Sequence, residues 1–318
     1  MGRASRAPTP SSHTDMQNHH QTKRTKRVNV PLWGLCFILC SQLSYASELR
    51  VLIVDGFNNH HWRATTTAVT SILKQDQNLK VEVSTVPTAH TEQWKKWCPT
   101  FTDYDVIIQN TNDISKKGSW PTPAQKALER YLQEGGGMVG LHSANNAFLH
   151  WEEYNQMIGL GWRKRDFGPS VHIQDERVIT IPTGQGENTG HGPRIDALVT
   201  RLGDHPMHQG LPRSWLAADL EVYRYPRGPA KNLTILSYAQ EPKTGKNFPI
   251  EWLVNYGKGR VYCSTYGHYW HNEENTPRGI RCLAFQELLR RALYYVAGRA
   301  VPQGAAFPTP QATALAPE

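Results

Sequence analysis

The stretch that decides the fold is GGGMVGLHSANN, residues 135–146. Three glycines end a predicted helix, the apolar run at 138–141 predicts a short buried strand, and His142 and Ser143 then enter a polar turn. A sharp turn of this kind after a strand presents a nucleophile in many α/β enzymes. Here the residue at its tip is a histidine.

Strands and helices alternate on both sides of this stretch, which predicts right-handed crossovers and a mostly parallel sheet with helices on both faces. From residue 160 to 245 the pattern is less regular. The predicted strands cover residues 49–55, 81–86, 104–109, 138–141, 249–254 and 260–265, and the predicted helices cover residues 64–75, 282–296 and a segment that opens at Pro121. Since sites in such sheets lie at the carboxyl ends of the strands, the loop of His60 and His61 and the loop of His142 are expected on one edge.

The basic charge is concentrated at the N-terminus. Six of the 35 Lys and Arg residues, but only one of the 27 Asp and Glu residues, lie before residue 28, so most of the net charge of +8 belongs to that segment. A basic cluster at 23–27, an apolar run at 30–40 and small residues at Ser44 and Ala46 predict a signal peptide cleaved after Ala46. We therefore expect a secreted or periplasmic protein, translated from Met1 or Met16, that does not bind nucleic acid.

The expected domain organisation follows from these boundaries. Residues 1–46 form the N-terminal extension and signal peptide, residues 47–300 form one domain, and the Pro/Ala-rich residues 301–318 form a disordered tail. The apolar run is shorter than the roughly 20 residues that a transmembrane helix needs, so no stable membrane span is expected after cleavage. A glycine-rich segment at 184–193 lacks the Lys-Ser/Thr of a phosphate-binding loop and is expected to be a surface insertion.

Taken in order, the motifs of the predicted domain resemble the ThuA-like (trehalose utilisation) family, whose fold is similar to the class I glutamine amidotransferases. The resemblance implies a flavodoxin-like, three-layer sandwich. The matching motifs are the first strand with His61-Trp62, GGGMVGLHSA at 135–144, the helix at 151–159, Asp204-His205-Pro206 with Gly210-Leu211-Pro212, Glu221-Val222-Tyr223, Trp252 followed by YGKGRVY at 256–262, and Tyr266-Gly267-His268.

Comparison with the amidotransferases argues against their reaction. Those enzymes carry a cysteine at the elbow and a histidine, followed two residues later by a glutamate, on a late strand. The resemblance places His142 at the cysteine position, His268 at the histidine position and Trp270 at the glutamate position. A thioester mechanism needs a thiolate, so glutamine amidotransfer is not expected. Ser143 remains a candidate nucleophile with His268 as its base.

Two uses of the histidines compete. Imidazole titrates near neutrality, so His142 and His268 could transfer protons, with Glu221 as a further catalytic candidate. Alternatively, neutral imidazoles of His61, His142 and His268 could hold a divalent metal, with Glu221 as a possible oxygen ligand. The sequence does not determine whether His60 or His61 faces the pocket.

The aromatic residues near these motifs suit the apolar faces of a sugar. Trp252, within a strand, is expected to pack in the core, whereas Trp62 and Trp270 are better placed for stacking. The predicted substrate-binding residues are His61, Trp62, Asn145, His205, Tyr223 and Trp270.

These observations predict an exported ThuA-like protein that acts on a small carbohydrate, such as a keto-glycoside or a disaccharide. The expected reaction is hydrolysis, elimination or isomerisation, assisted by histidine and by a metal if one binds. The paired carboxylates of an ordinary glycosidase are not visible in the sequence. The alternative is a non-catalytic carbohydrate-binding protein with a degenerate amidotransferase-like pocket.

Overall fold

The computed structural model describes residues 48–303 and 315–317. The predicted signal peptide and its cleavage site lie outside the described residues. The strands are β1 (Leu49–Asp55), β2 (Leu79–Thr85), β3 (Val106–Gln109), β4 (Gly137–Gly140), β5 (Ser170–Gln174), β6 (Arg177–Ile181), β7 (Gly190–His191), β8 (Ile195–Arg201), β9 (Ser214–Leu220), β10 (Tyr223–Arg224), β11 (Leu233–Gln240), β12 (Asn247–Tyr256) and β13 (Gly259–Ser264). The α-helices are α1 (Trp62–Leu73), α2 (Glu92–Lys96), α3 (Thr122–Gln133), α4 (Glu152–Ile158), α5 (Arg278–Arg281) and α6 (Leu283–Val296).

A large mixed sheet orders its strands β2-β1-β3-β4-β13-β12-β11-β8-β9. The first five of these strands are parallel, and the later neighbours are antiparallel. The hairpin of β5 and β6 adds to β12. The predicted α/β fold around a large central sheet is therefore confirmed. Its antiparallel half takes in much of the region in which the sequence pattern is less regular.

Two apolar clusters cover the sheet. In β1, Val51 and Ile53 belong to the cluster that includes α1 and α6, whereas Leu52 and Val54 belong to the cluster that includes α3 and α4. Successive side chains of a strand point to opposite faces, so these helices cover opposite faces of β1. Burial on both faces explains why this strand is apolar along nearly its whole length.

The parallel strands bring three histidines to one edge. His60 follows β1, His142 follows β4 and His268 follows β13, each at the carboxyl end of its strand. The sequence predicts this convergence from the alternation of strands and helices, and the topology agrees with it.

Two residues near the C-terminus contact the domain. Leu315 forms an antiparallel bridge with Cys282, and the Ala316 amide donates to the Arg281 carbonyl at 2.8 Å. Cys98, Cys263 and Cys282 are free thiols in the described residues. In the part of the chain that the structure covers, no helix has the length and apolar character needed to cross a bilayer.

Candidate functional site

His142 occupies a strained backbone position. Its φ is +37°, in the left-handed region that residues other than glycine seldom adopt, at the start of a 3₁₀ helix (His142–Asn146). The turn is closed by a hydrogen bond from the Ala144 amide to the Leu141 carbonyl at 2.8 Å. Strain of this type is found where a tight turn must present one side chain, and here it presents the imidazole.

Three imidazoles meet at this point and form what we call the histidine triangle: His60, His142 and His268. Their ring centroids are 4.9 to 5.1 Å apart, with the rings edge to face. One ring nitrogen from each lies within 4.8 Å of the other two. The prediction placed His61 in this group, but the structure places His60 there.

Hydrogen bonds fix how two of the rings carry their protons. His142 Nδ1 lies 2.8 Å from the Thr265 carbonyl oxygen, which can only accept, so Nδ1 donates and Nε2 keeps a free lone pair. His60 Nδ1 lies 3.0 Å from Asn59 Oδ1 and is oriented in the same way. Such bonds are the usual means by which proteins orient imidazoles that bind metals.

His268 is oriented differently. The Arg194 guanidinium approaches its Nδ1 at 3.2 Å, and because this group only donates, Nδ1 accepts and Nε2 carries the proton. Arg194 is itself held by Asp219 at 3.1 Å and Glu273 at 2.7 Å. Glu273 also places a carboxylate near His268, because its Oε2 is 3.8 Å from Nδ1. This carboxylate comes from a different position than the amidotransferase glutamate, whose place is taken by Trp270.

Glu221 lies against the triangle and is 5% exposed. Its carboxyl oxygens are 3.5 Å from His142 Nε2, 3.3 Å from His268 Nε2 and 3.4 Å from His191 Nε2. Burial raises the pKa of this carboxyl to about 7, although the charge of Arg194 works in the opposite direction. Near neutral pH, Glu221 can thus both accept and donate a proton.

The imidazoles of the triangle are neutral at pH 7. Burial is the largest cause in each case, and neighbouring histidines add to it, lowering the pKa of His142 to about 4 and that of His60 to about 2. The same causes place the pKa of His268 far below its ordinary value. Neutral rings have the lone pairs that a metal or a reacting proton requires.

Acid is expected to destabilise the metal-free protein through His142. Since its folded pKa is below the unfolded value of 6.5, the unfolded chain binds more protons between about pH 4 and 6.5, and the free energy of unfolding falls as pH is lowered through that window. From pH 7 to pH 5 this contribution is about 2 kcal/mol. Glu221 acts with the opposite sign, because its stabilising contribution is complete below pH 4.5 and is lost as pH rises through about 7.

Urea unfolding of the wild type and of His142→Asn at pH 7 and pH 5, with a chelator present, separates the His142 contribution from that of Glu221. His142→Asn, which retains a residue compatible with positive φ, should lose less stability on acidification than the wild type. His150→Asn, at an exposed histidine, should behave as the wild type. An unchanged acid loss in His142→Asn would contradict the assignment.

His60 and His268 of the triangle line a pocket of about 240 Å³ with aromatic walls, and His142 lies behind them. Trp270 lies 4.9 Å from His60, edge to face, and stacks on His268 at 6.0 Å. Trp162 contacts Tyr223 edge to face at 5.2 Å, and the Tyr223 hydroxyl lies 3.4 Å from His142 Nε2. Among the predicted substrate-binding residues, Tyr223 and Trp270 therefore line this pocket.

Other predicted residues lie elsewhere or have other partners. The Ser143 hydroxyl exchanges hydrogen bonds of 2.8 and 3.1 Å with the Asn58 amide, and Asn145 donates to the Ser264 carbonyl at 2.8 Å. His61 caps α1 by accepting from the Ala64 amide at 3.3 Å. His205 packs on Tyr295 of α6, away from the triangle's pocket.

Trp62 forms part of a neighbouring cavity. Its ring lies beneath the Arg63 guanidinium, 4.1 Å from the guanidinium carbon, and it lines a recess that shares only His60 with the triangle's pocket.

Four residues were not identified from the sequence. Asn146 lines the pocket, and its side-chain oxygen is buried without a hydrogen-bond partner in the described residues. Glu273 and Arg194 hold His268, while His191 contacts Glu221. His191 belongs to the glycine-rich segment that was expected to be a surface insertion, and it reaches the site because β7 pairs with β10. That pairing is long-range and leaves no local sequence pattern.

The family of the chain follows from a comparison of its sequence with models of known protein families. The model of the ThuA family, described as trehalose utilisation, matches residues 50–295. The chain belongs to the ThuA family. The resemblance stated from the motifs is thereby confirmed, and the histidine triangle lies within the ThuA domain.

Solved structures agree with the ThuA assignment. A ThuA-like protein from Parabacteroides merdae ATCC 43184 is 28% identical, with a TM-score of 0.77 over 85% of this chain and 98% of that one. A ThuA-like protein from Bacteroides uniformis ATCC 8492 is 18% identical, with a TM-score of 0.52 over 82% of this chain and 98% of that one, and shares the fold. A comparison with curated proteins found no match.

Proposed function

We propose that this ThuA protein is an exported carbohydrate-active enzyme whose histidine triangle holds a divalent transition metal and whose Glu221 transfers protons. The substrate class is a keto-glycoside or a disaccharide, and the reaction is hydrolysis, elimination or isomerisation. The observation that carries the proposal is the convergence of three neutral imidazoles within 4.8 Å, with a buried carboxyl beside them. The framework is a three-layer sandwich, which the two apolar clusters support.

The donor set favours a metal over an unassisted acid and base. Three imidazoles are the ligands of many catalytic zinc sites, and imidazole also suits iron, copper and nickel. Nitrogen ligands of a tetrahedral zinc lie about 3.4 Å apart, whereas the ring nitrogens of the triangle lie within 4.8 Å of one another, so the triangle would have to contract by at most about 1.4 Å. In His60 and His142, Nδ1 donates a hydrogen bond, so Nε2 has the free lone pair that a metal requires.

His268 must exchange a proton before it can serve as a ligand. The form that can bind a metal through Nε2 carries its proton on Nδ1, where Glu273 Oε2 lies 3.8 Å away and can accept a hydrogen bond from it. This tautomer requires the Arg194 guanidinium, which approaches Nδ1 at 3.2 Å, to move away. A metal in the triangle would supply Lewis acidity toward a sugar oxygen.

The protein's own groups account for proton transfer and sugar orientation. Glu221 lies beside the triangle with a pKa near neutrality, which suits a group that takes a proton from a sugar carbon or hydroxyl and returns it. Trp270 and Trp162 provide flat surfaces for the apolar face of a sugar ring. The unpartnered oxygen of Asn146 is available to accept a hydrogen bond from a sugar hydroxyl.

Metal analysis of the full chain, purified without a histidine tag, tests the proposal. We expect about one divalent metal per chain and turnover of a keto-glycoside or disaccharide, followed by NMR, that a chelator abolishes and added metal restores. Turnover by metal-free protein would overturn the metal site. Sugar binding without turnover, with or without metal, would favour the alternative of a non-catalytic carbohydrate-binding protein.

A further inference from the structure

A second cavity adjoins the triangle's pocket and shares His60 with it. Its volume is about 370 Å³, and its walls include Phe57, His60, His61, Arg63, Lys117 and His271. We call it the basic recess. His60 lines both cavities, so a ligand at the histidine triangle could extend directly into the recess.

The two permanent charges of the basic recess are both positive. Arg63 and Lys117 have no ion pair or hydrogen bond within residues 48–303 and 315–317, and none of the described residues that line the recess is a carboxylate. Although burial raises the pKa of Asp55, the charge of Arg63 acts on this carboxyl and lowers its pKa slightly. The Asp55 carboxylate is buried, however, and accepts hydrogen bonds from the hydroxyls of Thr66 and Thr85 at 2.8 and 2.7 Å. These two cations are therefore available to a ligand.

Local packing limits the motion of the Arg63 side chain and of the backbone next to Lys117. The Arg63 guanidinium carbon lies 4.1 Å from the Trp62 ring centroid, a cation–π contact that limits its motion. Lys117 precedes Gly118, which packs so closely on Phe57 that a Cβ there would lie 2.2 Å from the ring. The positive end of α1, which begins at Trp62, adds to the potential in the recess.

The nearby carboxylates belong to the surroundings of the triangle's pocket, which Glu221 lines, and not to the lining of the recess. Glu221, Glu273 and Asp219 surround Arg194 there. A ligand that extends past His60 would thus lie near carboxylates in the triangle's pocket and near cations in the basic recess. This asymmetry suits a substrate with negative charge at one end only.

We propose that the basic recess binds an anionic oxygen group, a carboxylate or a phosphate, on the substrate unit next to the bond that is acted on. This inference rests on the proposed function, because it takes the triangle as the reacting centre, and it narrows the substrate to an acidic saccharide. The carboxylate of a uronic acid and the phosphate of a sugar phosphate share the chemistry that the recess recognises.

Calorimetric titration of the full chain with glucose, glucuronate and glucose 6-phosphate tests the recess. We expect at least one of the two anionic sugars to bind about fivefold to tenfold tighter than glucose, since two partly exposed cations each contribute modestly. The preference should weaken with added salt and disappear in Arg63→Gln/Lys117→Gln. Lys116→Gln, one residue away and outside the recess, should retain it. The anion that binds more tightly identifies the source of the charge.

Inorganic phosphate separates this inference from the proposed function. If the double variant loses phosphate binding and His142→Asn keeps it, the recess is an anion site. This result supports the inference even if no sugar binds, and in that case only the proposed carbohydrate function fails. Phosphate binding that the double variant leaves unchanged overturns the inference. Equal binding of neutral and anionic sugars, or a preference that survives in the double variant, also overturns it.

Discussion

Replacing His142 with asparagine is expected to reduce turnover by about 10²-fold or more and to remove the bound metal. The reason is that the bond from Nδ1 to the Thr265 carbonyl orients this ring, so that Nε2 presents its free lone pair to the triangle, and asparagine removes that nitrogen. Asparagine is the conservative choice, because it tolerates the φ of +37° and can still donate to Thr265. Metal content and product formation by NMR measure the effect.

Two companion variants make this result interpretable. His150→Asn changes an exposed histidine in the turn after the same 3₁₀ helix and should leave metal content and turnover unchanged. Glu221→Gln should retain the metal but lose turnover, because it removes proton transfer without removing a ring of the triangle. If His142→Asn keeps both its metal and its turnover, the triangle is not the reacting centre.

Replacing Trp252 with alanine is expected to lower the free energy of unfolding by about 3–5 kcal/mol. The ring is fully buried in the cluster that includes α3 and α4, as expected from its place in a strand, so truncation leaves a large cavity. Its indole also donates to the Ile158 carbonyl at 2.7 Å, and that oxygen would keep only the Leu160 amide as a donor. Urea unfolding of the metal-free protein gives the difference directly.

Trp270→Ala is the matched control for this substitution. Trp270 is partly exposed at the pocket, so its removal should change stability little while weakening sugar binding. A loss below about 1 kcal/mol in Trp252→Ala would show that the surrounding core collapses to fill the space. Equal stability losses in the two variants would contradict the different roles assigned to them.

The sequence predicted the convergence of the histidines because it depends on local patterns. Apolar runs identify β1, β4 and β13, and parallel strands place their carboxyl ends on one edge. The choice between His60 and His61 could not be made in the same way. His61 immediately precedes α1 and its ring caps that helix, which leaves His60 for the site.

The rest of the site depends on pairings between distant segments. β7 contributes His191 only because two residues pair with β10, and Arg194 reaches His268 across 74 residues of sequence. The antiparallel strand β11 buries three consecutive residues instead of alternating, and the pairings of β8 with β9 and of β11 with β12 each contain a register shift. Such strands give a weak sequence signal, since cross-strand contacts rather than periodicity determine them.

The strained turn at His142 also bears on how such a protein could acquire new chemistry. The backbone at φ +37° is held by β4 and by the 3₁₀ helix that follows, so the turn directs the side chain at position 142 toward the point where the loops after β1 and β13 meet. The positive φ limits the unstrained substitutions there to glycine, asparagine and aspartate. For directed evolution under the proposed function, position 142 therefore calls for a small library that tests the reacting group, whereas libraries at Trp162 and Trp270 test the preference among sugars.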